Sequence, residues 1–162
     1  MNDRFNHLFK PIKIGCAEIK NRIGMAPMSN AGMVHYDGSF NKRAENYFVE
    51  RARGGVGLII TGYTELKSEV EKYMPGSEQN VTNSYNFILT ASEIVERVHA
   101  YGCKIFLQLS LGFGRVAFHP YIINDPIAPS AIPNYWKPEV TCRELKTEEV
   151  EQLVEAIGDA AV

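Results

Sequence analysis

The chain has 162 residues, of which 45% are hydrophobic and 22% charged, and its net charge is −2. That length and balance suit one packed domain and exclude a disordered or fibrous polypeptide. Lysines and arginines are scattered without a basic run, which argues against nucleic-acid binding, and no stretch reaches the ~18 apolar residues of a membrane helix.

The amino terminus, MNDRFNHLFKPIKIG, is polar and lacks the apolar core of a signal peptide, so a cytoplasmic protein is expected. In KIGCAEIKNRI the apolar residues Ile14, Cys16, Ile19 and Ile23 are interleaved with polar ones, predicting a short hairpin or extended strand before the main fold. Residues 23–27 then read as a first buried strand, ended by Pro27, which has no N–H to give to a ladder. From 41 to 53, Ala44, Tyr47, Phe48 and Ala52 recur at helical spacing with charges opposite, and Gly54 and Gly55 supply the stop. The run VGLIITG, 56–62, is continuously apolar, as a parallel strand covered on both faces should be.

The pattern then repeats. Ile88, Leu89, Ile94, Val95 and Val98 mark a second helix stopping at Gly102, and KIFLQLS, 104–110, is a third strand. A third helix starts near Thr147, whose hydroxyl is expected to cap it, with Glu148 and Glu149 set against the helix dipole. Its apolar stripe runs through Val150, Leu153, Val154, Ile157 and Ala161. This alternation is α/β, with parallel strands and right-handed crossovers. The long connections, 63–87 and 111–146, leave the strands, so loops gather at the carboxyl ends, where such folds place their chemistry. Three strands leave open sheet edges, whereas an eight-stranded barrel takes about 250 residues. The chain is therefore expected to be the amino-terminal portion of something larger.

Three strand ends belong together: APMSNAG at 26–32, ITGYTEL at 60–66 and QLSLGFGR at 108–115. Small and polar residues there suit the polar edge of a planar cofactor, with Met28 packed on the ring, although composition alone favours plain loops. No GxGxxG opens a helix and no GxxxxGK[ST] occurs; GFGR at 112–115 is a weak match to a phosphate loop. His7, His35, His99 and His119 lack ligand spacing, so no metal site is expected, and Cys16, Cys103 and Cys142 read as free thiols. Ser29 lies in PMSNA, which is no nucleophile elbow. Glu65, Glu69 and Glu71, with lysines nearby, read as a solvated loop. Tyr121, Tyr135 and Trp136, in a proline-rich loop, suit either a substrate pocket or the anchoring of that loop.

In order along the chain, LFKPIKIG, EIKNRIGMAPM, DGSFNKRAENYFVERARGGVGLIITG, QLSLGFGR, APSAIP and CRELKTEEV resemble the old yellow enzyme family of NADH:flavin oxidoreductases. The likeness is strongest to the branch containing 2,4-dienoyl-CoA reductases and the reductases of bile-acid dehydroxylation. It implies the amino-terminal part of an FMN-binding (β/α)8 TIM barrel, about three βα units preceded by a hairpin and spanning 1–162. It also implies ene-reductase chemistry, in which hydride passes from NAD(P)H through flavin to the activated C=C of an enone or enoyl thioester. By the same resemblance Ala26, Pro27, Met28 and Ser29 lie against the flavin, with Ser29 near its reactive edge. Gly62 and Tyr63 contribute a backbone contact, and Gln108 presents its amide to the pyrimidine edge of the ring.

Two departures stand out: Leu111 and Gly112 occupy the segment where many relatives carry a histidine, and Tyr63 replaces a smaller residue. The family's substrate-anchoring histidines, proton-donor tyrosine, flavin-binding arginine and phosphate loops follow its later strands, so no catalytic residue is assigned within 1–162. A 4Fe-4S cluster and an FAD domain, carried by the extended members, would fall in regions absent from this chain. A small molecule is the expected substrate and a second copy of the chain a further partner. Two alternatives remain: a non-catalytic half-barrel that associates through its open strand edges, and a barrel lyase such as an aldolase.

Overall fold

The computed structural model describes residues 5–28, 32–66, 68–72, 81–117 and 124–161. They fall into two units: one takes in the chain up to residue 35 with 39–63 and 83–108, the other 36–38, 64–82 and 109–162.

The first unit opens with the expected hairpin. Strands β1 (Ile12–Ile14) and β2 (Ala17–Ile19) pair antiparallel, with Ile12 opposite Ile19 and Ile14 opposite Ala17. Gly15, at φ 58°, makes the tight turn between them. Strand β3 is only Gly24–Met25, shorter than the expected 23–27. The chain leaves the ladder before Pro27 because proline offers no donor. Asn21 fixes where β3 enters the sheet. Its amide donates to Gly55 O at 2.8 Å and its Oδ1 accepts Ile23 N at 3.1 Å. Gly57 passes so close that a Cβ there would sit 2.5 Å from Asn21 Oδ1, so this position needs glycine for space.

Helix α1 (Lys42–Arg53) begins at Asn41, whose Oδ1 accepts Arg43 N and Ala44 N at 2.9 and 3.2 Å. Its buried face is Ala44, Glu45, Phe48, Val49 and Ala52. Strand β4 (Leu58–Glu65) pairs parallel to β3, with Gly24 opposite Leu58 and Met25 opposite Ile59. Helix α2 (Ser84–His99) is capped by Asn83, and β5 (Lys104–Ser110) has the expected bounds. Lys104 N donates to Gly57 O at 2.9 Å, at the starts of both strands, so β5 runs in the same sense. The order β3-β4-β5 leaves β5 at the edge among the described residues, with Phe106 and Leu107 39% and 41% exposed.

The core joins Phe40, Ala44, Phe48, Val49 and Ala52 to Ile59, Ile94, Val98 and Cys103. Phe40 meets Phe48 edge-on, with ring centroids 6.0 Å apart. Buried Glu45 receives the guanidinium of Arg97 from α2 and the ammonium of Lys42, tying the two helices together. Ile88 and Leu89, expected on the buried stripe of α2, are exposed instead. The inward position beside them belongs to Thr90, whose hydroxyl accepts Phe40 N at 3.2 Å and donates back to the helix carbonyls.

In the second unit Leu66 N donates to Ser110 O at 2.9 Å, so pairing continues beyond the expected strand end at Gly62. The expected loop 111–146 contains its own order. Strands β6 (Ile127–Ala128) and β7 (Arg143–Glu144) pair parallel, and a tight 3-10 turn covers Gly114–Val116. Helix α3 (Thr147–Ala160) is capped differently from expectation: Lys146 is the cap residue, and the Glu149 carboxylate reaches back to Lys146 N at 2.9 Å. Glu149 fits that role better than the Thr147 hydroxyl because Arg143 grips it through both oxygens, at 2.8 Å each.

Candidate functional site

Because β3, β4 and β5 share one direction, residues 26–28, 62–63 and 108, all of the first unit, lie toward the carboxyl side of the sheet. Ala26, Pro27 and Met28 leave β3 there, all exposed, and Met28 is 57% accessible. An exposed methionine needs support to keep its place. Tyr47 of α1 supplies it, with its hydroxyl 4.0 Å from Met28 Sδ. The Arg51 guanidinium lies 3.4 Å from the centroid of the Tyr47 ring and donates to Tyr47 O at 3.0 Å, which fixes the ring in turn. As helical spacing expects, Tyr47 packs half-buried against the core, and its hydroxyl also reaches Met28.

Gly62 is buried and Tyr63 half-buried, and both lie within β4 rather than at its end. Thr61, just before them, donates its hydroxyl to Gly62 O at 2.9 Å and accepts Gln108 N at 3.2 Å. The Gln108 side chain is exposed on β5. The structure thus brings Ala26, Pro27, Met28, Gly62, Tyr63 and Gln108 to one end of one sheet. Ser29, His119 and Tyr121 lie outside the described residues. The donor set fits a flavin: an apolar, solvent-facing methionine where the chain leaves β3 and, on β5, a side-chain amide that offers both a donor and an acceptor.

Other expectations resolve within the second unit. GFGR is no anion cradle, since Phe113 N already donates to the Glu71 carboxylate at 2.7 Å. Tyr135 and Trp136 stand edge-to-face, 4.7 Å apart and more than half exposed, with Trp136 Nε1 donating to Val116 O. Between the two readings offered for this pair, that bond favours loop anchoring. The reading of Glu65, Glu69 and Glu71 as a solvated loop is corrected: only Glu69 is exposed, while Glu65 and Glu71 are each 1% accessible. Extension of β4 to Glu65 is the reason, since it draws that side chain inward. Burial, with the charge of Glu71 as the lesser cause, pushes the Glu65 carboxyl up to about 8. The sequence signal was Thr64-Glu65 continuing the strand past Gly62.

Cys103 is a buried thiol whose pKa is raised by desolvation, against the opposing influence of Lys20, which suits a core residue and not a nucleophile. All three cysteines are free. Among the described residues no group of three or more His, Cys, Asp or Glu could hold a metal, and no helix is long and apolar enough to cross a membrane.

Residues 7–162 match the family model described as "NADH:flavin oxidoreductase / NADH oxidase family". The chain belongs to this family. A cinnamate reductase of Clostridium sporogenes is 52% identical over 99% of the chain, and an NADH oxidase of Thermoanaerobacter brockii is 36% identical over 98%. The chain spans about a quarter of each of these relatives, 24% of their length. Among solved structures, morphinone reductase in complex with tetrahydroNAD superposes with a TM-score of 0.76 at 28% identity, covering 95% of this chain and 45% of that one. The old yellow enzyme homologue from Zymomonas mobilis gives 0.75 at 30% identity, covering 95% and 44%. The three parallel strands and their helices are therefore part of an old yellow enzyme TIM barrel, as the resemblance implied.

Proposed function

We propose that this chain is the amino-terminal part of an FMN-dependent ene-reductase, acting with NAD(P)H on the activated C=C of an enone, enoyl thioester or arylacrylate. One juxtaposition supports the reading. Ala26, Pro27, Met28 and Gln108 are exposed at the same sheet end, in a chain 52% identical to a cinnamate reductase. Bound FMN would supply the hydride carrier. Met28, steadied by Tyr47, gives the ring an apolar floor together with Ala26 and Pro27. Gln108 answers the pyrimidine edge with one acceptor and one donor. Gly62 and Tyr63 offer main-chain contact from β4. Reduction of the substrate is assigned to none of these residues; they bind and orient.

The test uses the intact protein. Gln108→Ala is expected to weaken FMN binding about tenfold or more, the scale of one or two lost hydrogen bonds, measured by flavin fluorescence titration. Undiminished affinity would remove Gln108 from the site. A second reading, in which the protein is an association module, draws on the exposed Phe106 and Leu107 of β5. It expects self-association on a sizing column without flavin absorbance, whereas the reductase reading expects a yellow protein.

A further inference from the structure

Thr61 is 3% exposed in β4, and its hydroxyl serves two of the strand-end residues at once. Gln108 N, on β5, donates to Thr61 Oγ1 at 3.2 Å, and Oγ1 donates in turn to Gly62 O at 2.9 Å. The directions are forced. An amide N–H only donates and a carbonyl only accepts, so the hydroxyl receives the first bond on a lone pair and gives its one proton to the second. The register of the strands brings the partners together: Lys104 N donates to Gly57 O at 2.9 Å, and Gln108 and Thr61 each stand four residues further along.

Gln108 needs such a hold. Its side chain is exposed, rotates about several bonds, and stands on a strand at the sheet edge among the described residues. A side-chain amide that must meet a planar ring in one direction gains from every constraint already in place, because less freedom is then lost on binding. Thr61 supplies that constraint at the main chain. Shielded from solvent itself, it acts on a ligand through the residues it holds.

We propose that Thr61 is a positioning residue for the flavin site: its hydroxyl fixes the main chain of Gln108 to that of Gly62 and so presents the Gln108 amide at one place and in one direction. The role rests on the reading of Gln108 as a flavin ligand. Valine has the shape of threonine but makes neither bond, whereas serine keeps the hydroxyl and loses only a methyl.

The test is a double-substitution cycle on the intact protein, read as FMN affinity by flavin fluorescence titration. Thr61→Val is expected to weaken FMN binding about fivefold, less than the roughly tenfold of Gln108→Ala, because the amide is misdirected but still present. Thr61→Ser is expected to stay within about twofold of the unsubstituted protein. In a Gln108→Ala background, adding Thr61→Val is expected to change nothing further, since the group it positions is gone. A residue that merely stabilised the strand would act whether or not Gln108 were present, and the two losses would multiply to about fiftyfold. That multiplication overturns the proposal.

The Gln108 main-chain amide gives a second readout that needs no flavin. Its hydrogen exchange is expected to quicken in Thr61→Val and to hold in Thr61→Ser. Unchanged exchange in Thr61→Val overturns the positioning role. So does full FMN affinity in Thr61→Val when Gln108→Ala has lost it, an outcome that leaves the flavin reading of Gln108 standing. Full affinity in Gln108→Ala removes that reading and the role of Thr61 together. If Thr61→Val does not fold, Thr61→Cys, whose thiol is a weak donor and a weak acceptor, takes its place in the cycle with the same expectations.

Discussion

Asn134 is 3% exposed and fastens four main-chain groups at once. Its Nδ2 donates to Arg115 O and Ala117 O at 2.9 Å, and its Oδ1 accepts Trp136 N and Lys137 N at 3.0 Å. Asn134→Ala would leave those groups without that partner, and a loss of about 2–4 kcal/mol is expected in urea unfolding. Asn134→Asp keeps the acceptor but turns a carboxylate toward two carbonyls, so it should not rescue. Gly57 is held to glycine by volume. Gly57→Ala, which drives a methyl into Asn21 Oδ1, is expected to cost about 1–3 kcal/mol by the same measurement, as overpacking does. At this scale the sequence is hardest to read. Glu65 and Thr147 take other roles than expected, because side-chain role depends on neighbours that spacing along the chain does not reveal.

Elements were far more legible. Residues 41–53 and 104–110 were recognised with nearly the observed limits, since helical periodicity and a bounded apolar run are local signals. The misses have physical causes. Strand β4 outruns Gly62 because its later residues still find partners, and Ile88 and Leu89 face solvent because the inward position of α2 is filled by Thr90. The start of α3 depends on a pair that spacing alone did not suggest. Arg143 first, then Lys146 N, holds the Glu149 carboxyl down to about 2. Since that lies below its ordinary 4.5, the stabilising influence is present above 4.5 and is lost as pH falls toward 2. Arg143→Ala is expected to move Glu149 back toward the usual range and to fray the first turn of α3 at about pH 4, read from its amide exchange.

At the scale of the molecule, the α/β alternation and the crowding of loops at one end were visible in the sequence, and the family match agrees with both. The candidate site was legible as far as backbone geometry alone determines it. Parallel strands must bring residues 26–28, 62–63 and 108 to one edge, whereas the support of Met28 by Tyr47 and Arg51 required coordinates. The edge formed by β5 bears on how the protein is made. Once residue 110 has left the ribosome, Phe106 and Leu107 face water on a strand that pairs only with β4 among the described residues. Such a strand is a template for the same strand of a neighbouring nascent chain. Lys104 at its start and the polar Gln108 further along are the only interruptions from 104 to 109, so slow translation or crowded polysomes would make this stretch a natural site for chaperone attachment.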